Sequence, residues 1–451
     1  MNKEAGPRER PSRRRWRGVA VASAAVVLLG GGYATANAAT QNGSGQNDNG
    51  KRTTAARPQI RNATGVAAVV NAANAFVDTL STDQQAEVLL DFSQANATTW
   101  SNLPEGIVTR PGVQFSTLSD EQLAAAKAVV KAAMGTGKGT GFDQAMQILK
   151  ADDVLAAAEE STSTSADPSA TASADPTAST DPSATPTETA SVDPSATATE
   201  SASADPSASA TTTDVPTGAP PSGGPGGPGG GGGFNYGSGV YFLAFLGTPS
   251  ATGTWQLHFG GHHLAVNITF ADGKVTGSTP FFVGVEPTSF TTDDGTTYQP
   301  LSIMRDGMFK LLSSLTTAQQ TEAKLSESFG DVLLGPGQDG QFPTTKEGIP
   351  ASQLSPKQKK LVLAAIHPWV AAVDDATAKM LMKTYEKELN QTYVAYSGGL
   401  SLDTQGDYVR IDGPGVWVEF ICQNGIVFQS QIHFHTVYRD HTRDYGGEFT
   451  F

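Results

Sequence analysis

Apolar residues along this chain follow two kinds of spacing, and the change between them falls near residue 234. Before it the spacing is helical. Val66, Val69, Val70, Phe76 and Val77 can share one face of a 3.6-residue repeat. Ser81 or Thr82 can cap a second helix carrying Leu89, Leu90 and Phe92. Ser119 with Gln122 makes a capping-box pair, in which each side chain bonds the other residue's backbone N–H, and the helix it opens ends near Gly135. Residues 142–159 read as a further, alanine-rich helix.

After residue 234 short apolar runs appear. Residues 240–246 (VYFLAFL) read as a buried strand, 255–270 as one or two strands, and 274–279 as another. Residues 301–325 look helical. Ser355, Pro356 and Gln358 supply a cap, a proline at the first helical position and a capping-box glutamine. The helix they start carries Leu361, Leu363, Ile366 and Trp369. Asp374 can cap the next, which runs to about residue 390. Segments 393–396, 408–411, 416–421 and 426–437 complete the strands. Helices and strands are segregated rather than strictly alternating, so the expected class is α+β with a mainly antiparallel sheet.

Parity within 255–270 is informative. Trp255, Leu257 and Phe259 are apolar at odd positions, whereas Leu264, Val266, Ile268 and Phe270 are apolar at even ones. Side chains alternate along a strand, so one regular strand cannot put both sets on one face. Gly260-Gly261 sits where the parity changes, and a bulge or bend there restores a single apolar face. His258, His263 and Asn267 then share the other face, and His262 falls on the apolar side against Leu264.

Composition adds compartments to this pattern. Residues 1–38 read as a signal peptide: a basic stretch, an apolar run of about fourteen residues, and a small-x-small site at Ala36-Asn37-Ala38. The run is short of the roughly 20 residues of a membrane span. Ser12-Arg13-Arg14-Arg15-Trp16-Arg17 fits a twin-arginine signal as well as an ordinary one. The expected location is therefore secreted or cell-envelope associated. Residues 39–56 are polar and are expected to be disordered. Residues 57–159 form the helical part and 234–451 the α+β part. Between them, residues 160–233 repeat Asp-Pro among Ser, Ala and Thr and end in proline and glycine. Such a segment buries too little apolar surface to offset its chain entropy, which implies a disordered insertion.

The whole chain carries a net charge of −14. The leader's seven Lys/Arg against two Asp/Glu leave −19 for the remainder. That charge argues against a nucleic-acid partner, which selects for basic patches. No second apolar segment could span a bilayer. Cys422 is the only cysteine, which excludes an intramolecular disulfide and a thiolate zinc finger.

Any metal would therefore need His and carboxylate ligands. All seven histidines fall at or after residue 258, and four form two groups, His262-His263 and His433-Phe434-His435. On a strand His433 and His435 point the same way, about 6.5 Å apart, so both can bind one ion. A third ligand could come from His263, His262 or a carboxylate such as Glu419. Three protein ligands to a divalent transition metal are the usual catalytic arrangement. A metal-free binding pocket and a purely structural role account for the same residues. His263, with Arg439 and Asp440 close after the second group, are the candidate catalytic residues; a salt-bridged closing turn is the simpler account of the last two. Residues 335–340 read as a tight loop, whose Asp339 could reach a site, and not as a phosphate loop, since no Gly-Lys-Ser/Thr follows. His367 sits near a helix end, where a cation suits the dipole. Neither H-E-x-x-H nor G-x-S-x-G occurs.

Three blocks, FLGTPSATGTWQLHFGGHHLAVNITF at 245–270, VLLGPGQDG at 332–340 and IHFHTVYRDHTRDYG at 432–446, resemble a bacterial family catalogued as domain of unknown function 3500. The helical region 70–134, with LSTDQQ at 80–85 and Thr99-Trp100, looks like the start of the same domain. His441 and Arg443 depart from the proline and asparagine usual there, and the 160–233 stretch is an insertion. The resemblance implies one folded unit, where composition alone suggests two domains. It marks His262, His263, His433, His435, Arg439 and Asp440 as motif positions and supplies no reaction. What remains is an exported protein with a histidine-rich pocket, a metal-dependent hydrolase or oxidoreductase, or else a non-catalytic extracellular or wall-associated module that binds a small-molecule or cell-envelope ligand.

Overall fold

The computed structural model describes residues 64–164 and 235–451. The expected leader, the polar 39–56 segment and nearly all of the expected insertion lie outside the described residues.

The N-terminal helices begin where the polar caps place them. Helices α1 (Val66–Thr79), α2 (Thr82–Val88), α4 (Asp120–Ala133) and α5 (Gly141–Thr164) follow in order, with short α3 (Gln94–Ala97) between α2 and α4. Ser81 and Ser119 each form a complete capping box, with Gln84 and Gln122. α5 runs to Thr164, five residues past the expected start of the insertion at 160. Leu89 and Leu90, expected on α2, instead form a two-residue strand, β1 (Leu89–Leu90). With β2 (Val113–Gln114) it joins the edge of the main sheet beside β3 (Phe242–Leu246). Both parts of the chain thus contribute to one sheet.

Beyond β3 come β4 (Trp255–Gly260), β5 (Leu264–Ala271), β6 (Lys274–Gly277) and β7 (Phe281–Val285). A small hairpin, β8 (Phe290–Thr291) and β9 (Thr297–Tyr298), leads to helices α6 (Ser302–Ser313) and α7 (Thr317–Ala323). After β10 (Ile349–Pro350), helices α8 (Pro356–Val370) and α9 (Asp375–Glu388) start at the Ser355 capping box and the Asp374 cap. Strands β11 (Tyr393–Ser397), β12 (Tyr408–Asp412), β13 (Val416–Asn424) and β14 (Ile432–Asp440) form an antiparallel meander. The twelve-stranded sheet has the order β1-β3-β4-β5-β7-β14-β13-β12-β11-β10, with β2 and β6 as side branches. Among the strand pairs of the described residues, only β1–β3 is parallel. The α+β class with a mainly antiparallel sheet is therefore observed.

Other elements also differ from expectation, and two of them bear on the site. The last strand starts at Ile432 rather than 426 and runs to Asp440. Strand β7 was not expected: its apolar run is short, with Pro280 just before it and Gly284 within it. Yet β7 joins β5 to β14, and so brings the two histidine groups together. The parity change within 255–270 is resolved by a hairpin rather than a bulge. Gly261-His262-His263 is its turn, closed by Gly261 N–H donating to the Leu264 carbonyl at 2.9 Å. Cross-strand pairing then sets Trp255, Leu257 and Phe259 beside Phe270, Ile268 and Val266 on one apolar face. A Cβ on Gly261 would lie 2.8 Å from the Tyr241 ring, so the turn has room only for glycine.

That apolar face and Phe434 and Tyr438 of β14 pack against α1, α4, α6, α8 and α9 in the main core. The opposite face holds Phe282, Ile421 and Val437 with Trp100, Leu325 and Val332 from covering loops. Alternation along β14 thus turns Phe434 and Tyr438 toward the helices and His433, His435, Val437 and Arg439 the other way.

Candidate metal centre

The hairpin turn delivers His263 to the second face of the sheet. Its backbone carbonyl accepts from Gly284 N–H at 2.7 Å, pinning the turn to β7. Gly284 pairs with His435 across the β7–β14 ladder. A Cβ on Gly284 would come within 2.6 Å of His263 Cδ2 and 2.9 Å of His435 Cδ2. The absent side chain is therefore what lets two imidazoles meet over this strand. The ring centroids of His263, His433 and His435 are separated by 4.4, 5.6 and 5.9 Å. One ring nitrogen from each lies within 4.8 Å of the others. Three imidazoles bound tetrahedrally at roughly 2.0–2.1 Å would have centroids about 5 Å apart, and the observed spacings bracket that value.

Hydrogen bonds fix which nitrogens face one another. His263 Nδ1 bonds Asp152 Oδ1 at 2.7 Å, His435 Nδ1 bonds Asp331 Oδ1 at 2.9 Å, and His433 Nδ1 bonds the Asn424 carbonyl at 3.0 Å. These oxygens accept, so each Nδ1 carries the proton and each Nε2 presents a lone pair. His263 Nε2 is buried with no hydrogen-bond partner. His433 Nε2 and His435 Nε2 face each other at 2.7 Å. Two lone pairs at that separation repel, and a shared proton or a cation relieves the repulsion. Burial, then the neighbouring His435 and His263, hold His433 well below the usual histidine range, which disfavours the proton. Carboxylates and carbonyls that orient imidazoles through Nδ1–H are the usual outer support of a histidine metal site. Imidazole donors suit Zn, Cu, Fe or Ni.

His262 does not join the apolar face. Its ring lies over His263 at a centroid distance of 3.7 Å and against Tyr236 at 4.8 Å. It is buried, and burial followed by His263 pushes its pKa far down. His258 and Asn267 do pair on the sheet's polar face, outside this cluster; burial brings His258 down to about 4.

The remaining candidates are engaged elsewhere. Glu419 is no ligand: its carboxylate accepts from Leu333 N–H at 2.5 Å, Leu334 N–H at 2.9 Å, Trp417 Nε1 at 2.7 Å and the Tyr408 hydroxyl at 2.8 Å. Arg439 shares its face of β14 with the histidines but lies four residues along, about 13 Å away. It is fully buried between Asp444 and Asp339, donates to the Leu334 carbonyl and stands over Trp100. Asp440 accepts from Tyr385 at 2.6 Å, from Thr442 at 2.9 Å and from Arg443. Both residues close the fold in a salt-bridged turn, and the orienting carboxylates belong to Asp152 and Asp331. Asp339 likewise serves Arg439 and Tyr445. His367 is exposed in the last turn of α8.

Asp152 and Asp331 carry no local signal, because they stand 111 and 104 positions from their histidines. The one available hint is that Asp331 immediately precedes the block at 332–340.

The chain matches the family described as "Protein of unknown function (DUF3500)" over residues 62–447 and belongs to it. Neither a curated protein nor a solved structure matches the chain.

Proposed function

We propose that this is an exported metalloprotein that holds one divalent transition-metal ion through the Nε2 atoms of His263, His433 and His435. The observation that carries this reading is the convergence of one ring nitrogen from each of the three histidines, with each Nδ1 bonded to an oxygen. Such an ion, when bound by three imidazoles, supplies Lewis acidity or redox chemistry at its remaining position, so the reaction class is hydrolytic or oxidoreductive. Asp152, Asp331 and the Asn424 carbonyl hold the rings in the binding tautomer, and Gly284 keeps the space between them. Export rests on the leader-like residues 1–38. No helix among the described residues is long and apolar enough to cross a membrane.

Burial favours a second reading. His263, His433 and His435 are 0, 3 and 5% exposed. Two surface grooves, of about 480 and 330 Å³, are lined by other residues. An ion so enclosed would stabilise a non-catalytic extracellular binding module.

Elemental analysis of protein purified from its exporting host tests the centre. At least one equivalent of a transition metal is expected in the wild type, with loss of that equivalent in His433→Ala and His435→Ala. A metal-free wild type whose melting is unchanged by chelator would overturn it. Retention of metal with no turnover on hydrolytic or redox substrates would move the assignment to the binding module.

A further inference from the structure

His263 also belongs to a second group of prospective ligands. One atom each of Asp152, His262 and His263 lies within 4.8 Å of the others. His262 Nδ1 is buried, has no hydrogen-bond partner and stands 4.0 Å from Asp152 Oδ1, too far for a hydrogen bond. His263 Nδ1 lies 2.7 Å from the same oxygen. Donor atoms around a four-coordinate ion at roughly 2.0–2.1 Å sit about 3.3 Å apart, between these two values. The other oxygen of Asp152 accepts from the Tyr241 hydroxyl at 2.7 Å, so the carboxylate is already oriented from behind.

We infer that the site takes two cations bridged by His263. Its Nε2 binds the ion shared with His433 and His435, and its Nδ1 binds a second ion held by Asp152 Oδ1 and His262 Nδ1. This rests on the three-histidine reading above and extends it. The second ion replaces the Nδ1 proton of His263, which leaves to solvent, so the bridge is an imidazolate. The His262 ring must swing away from His263, because centroids 3.7 Å apart are closer than two imidazoles on one ion allow. His262 sits in the hairpin turn and meets Tyr236 on its other side, so that movement shifts it against the Tyr236 ring.

Charge supports the second ion. Asp152 faces His263, Glu286 Oε2 lies 3.9 Å from His433 Nδ1, and Asp331 bonds His435. The opposing cation is Arg110, which also faces Glu105. Arg110 interacts with both Glu105 and Asp152, and Asp331 is partly exposed, so four carboxylates face one cation around the imidazoles and favour added positive charge there.

The test is Cu(II) titration of chelator-stripped full-length protein, with bound copper measured after dialysis and by electron paramagnetic resonance. Two equivalents are expected per chain, with a resonance intensity well below that of two isolated Cu(II) ions, because the imidazolate couples their spins. In His262→Ala, which leaves every group assigned to the three-histidine site in place, binding should fall from two equivalents to one, with the full single-ion signal restored. A wild type that saturates at one equivalent, and loses it in His435→Ala, would overturn the bridge and leave the three-histidine site standing. A wild type that binds none would overturn both.

Discussion

A missing side chain decides as much at this site as the histidines do. Gly284 has an ordinary extended backbone, so its role is spatial and not conformational. A methyl group there would overlap His263 Cδ2 and His435 Cδ2 at 2.6 and 2.9 Å. Overpacking of this kind costs about 1–3 kcal/mol. Gly284→Ala is therefore expected to unfold at lower denaturant and, in its folded form, to bind less metal than the wild type. Wild-type metal content in that variant would show that the rings meet without needing this space. His262 was legible as a histidine and misplaced as a contact. Strand parity assigns it to the apolar face, but the strand ends at Gly260 and its alternation does not carry through the hairpin turn.

At the level of elements, the loop between α7 and β10 brings Asp331 to His435. It has little regular structure, so its place is set by buried charges on the strands beneath. Glu419 on β13 accepts from the N–H groups of Leu333 and Leu334, and Arg439 on β14 holds Asp339 and the Leu334 carbonyl. Removing one member of a buried ion pair leaves its partner's charge uncompensated, at a cost of roughly 3–5 kcal/mol. Arg439→Met should lower the unfolding free energy by about that amount in chemical denaturation. Its folded fraction should bind the proposed metal as the wild type does, because Arg439 touches no imidazole. Loss of metal from a normally stable Arg439→Met protein would instead place Arg439 in the site's chemistry. Arg439 and Asp440 thus stood out in the sequence for a reason, which is closure of the fold.

Across the whole molecule, the main sheet is built from both parts of the chain. β1 and β2 pair with β3, and Asp152 of α5 reaches the hairpin that carries His263. Neither part can complete the sheet or the histidine site alone. A chain cut once by protease between residues 165 and 234 should therefore elute as one particle by size exclusion, with both fragments retained. Separation of the fragments without denaturant would contradict this.

The sequence by itself determined the helices with polar caps, the strands of the C-terminal meander, the α+β class and the pairing of His433 with His435. These follow from local rules: capping groups three residues apart, and side chains that alternate every second residue. It did not determine β7, because five residues with a glycine near the end give too weak a periodic signal. It did not determine the partners of the histidines either. Asp152 and Asp331 lie more than a hundred positions from the rings they orient. Only the tertiary structure decided those, because hydrogen bonds between distant segments depend on how β7 joins β5 to β14. The physical reason is one of range: spacing along a chain constrains a few neighbouring residues, whereas a metal-binding geometry is fixed by packing among segments that spacing does not relate.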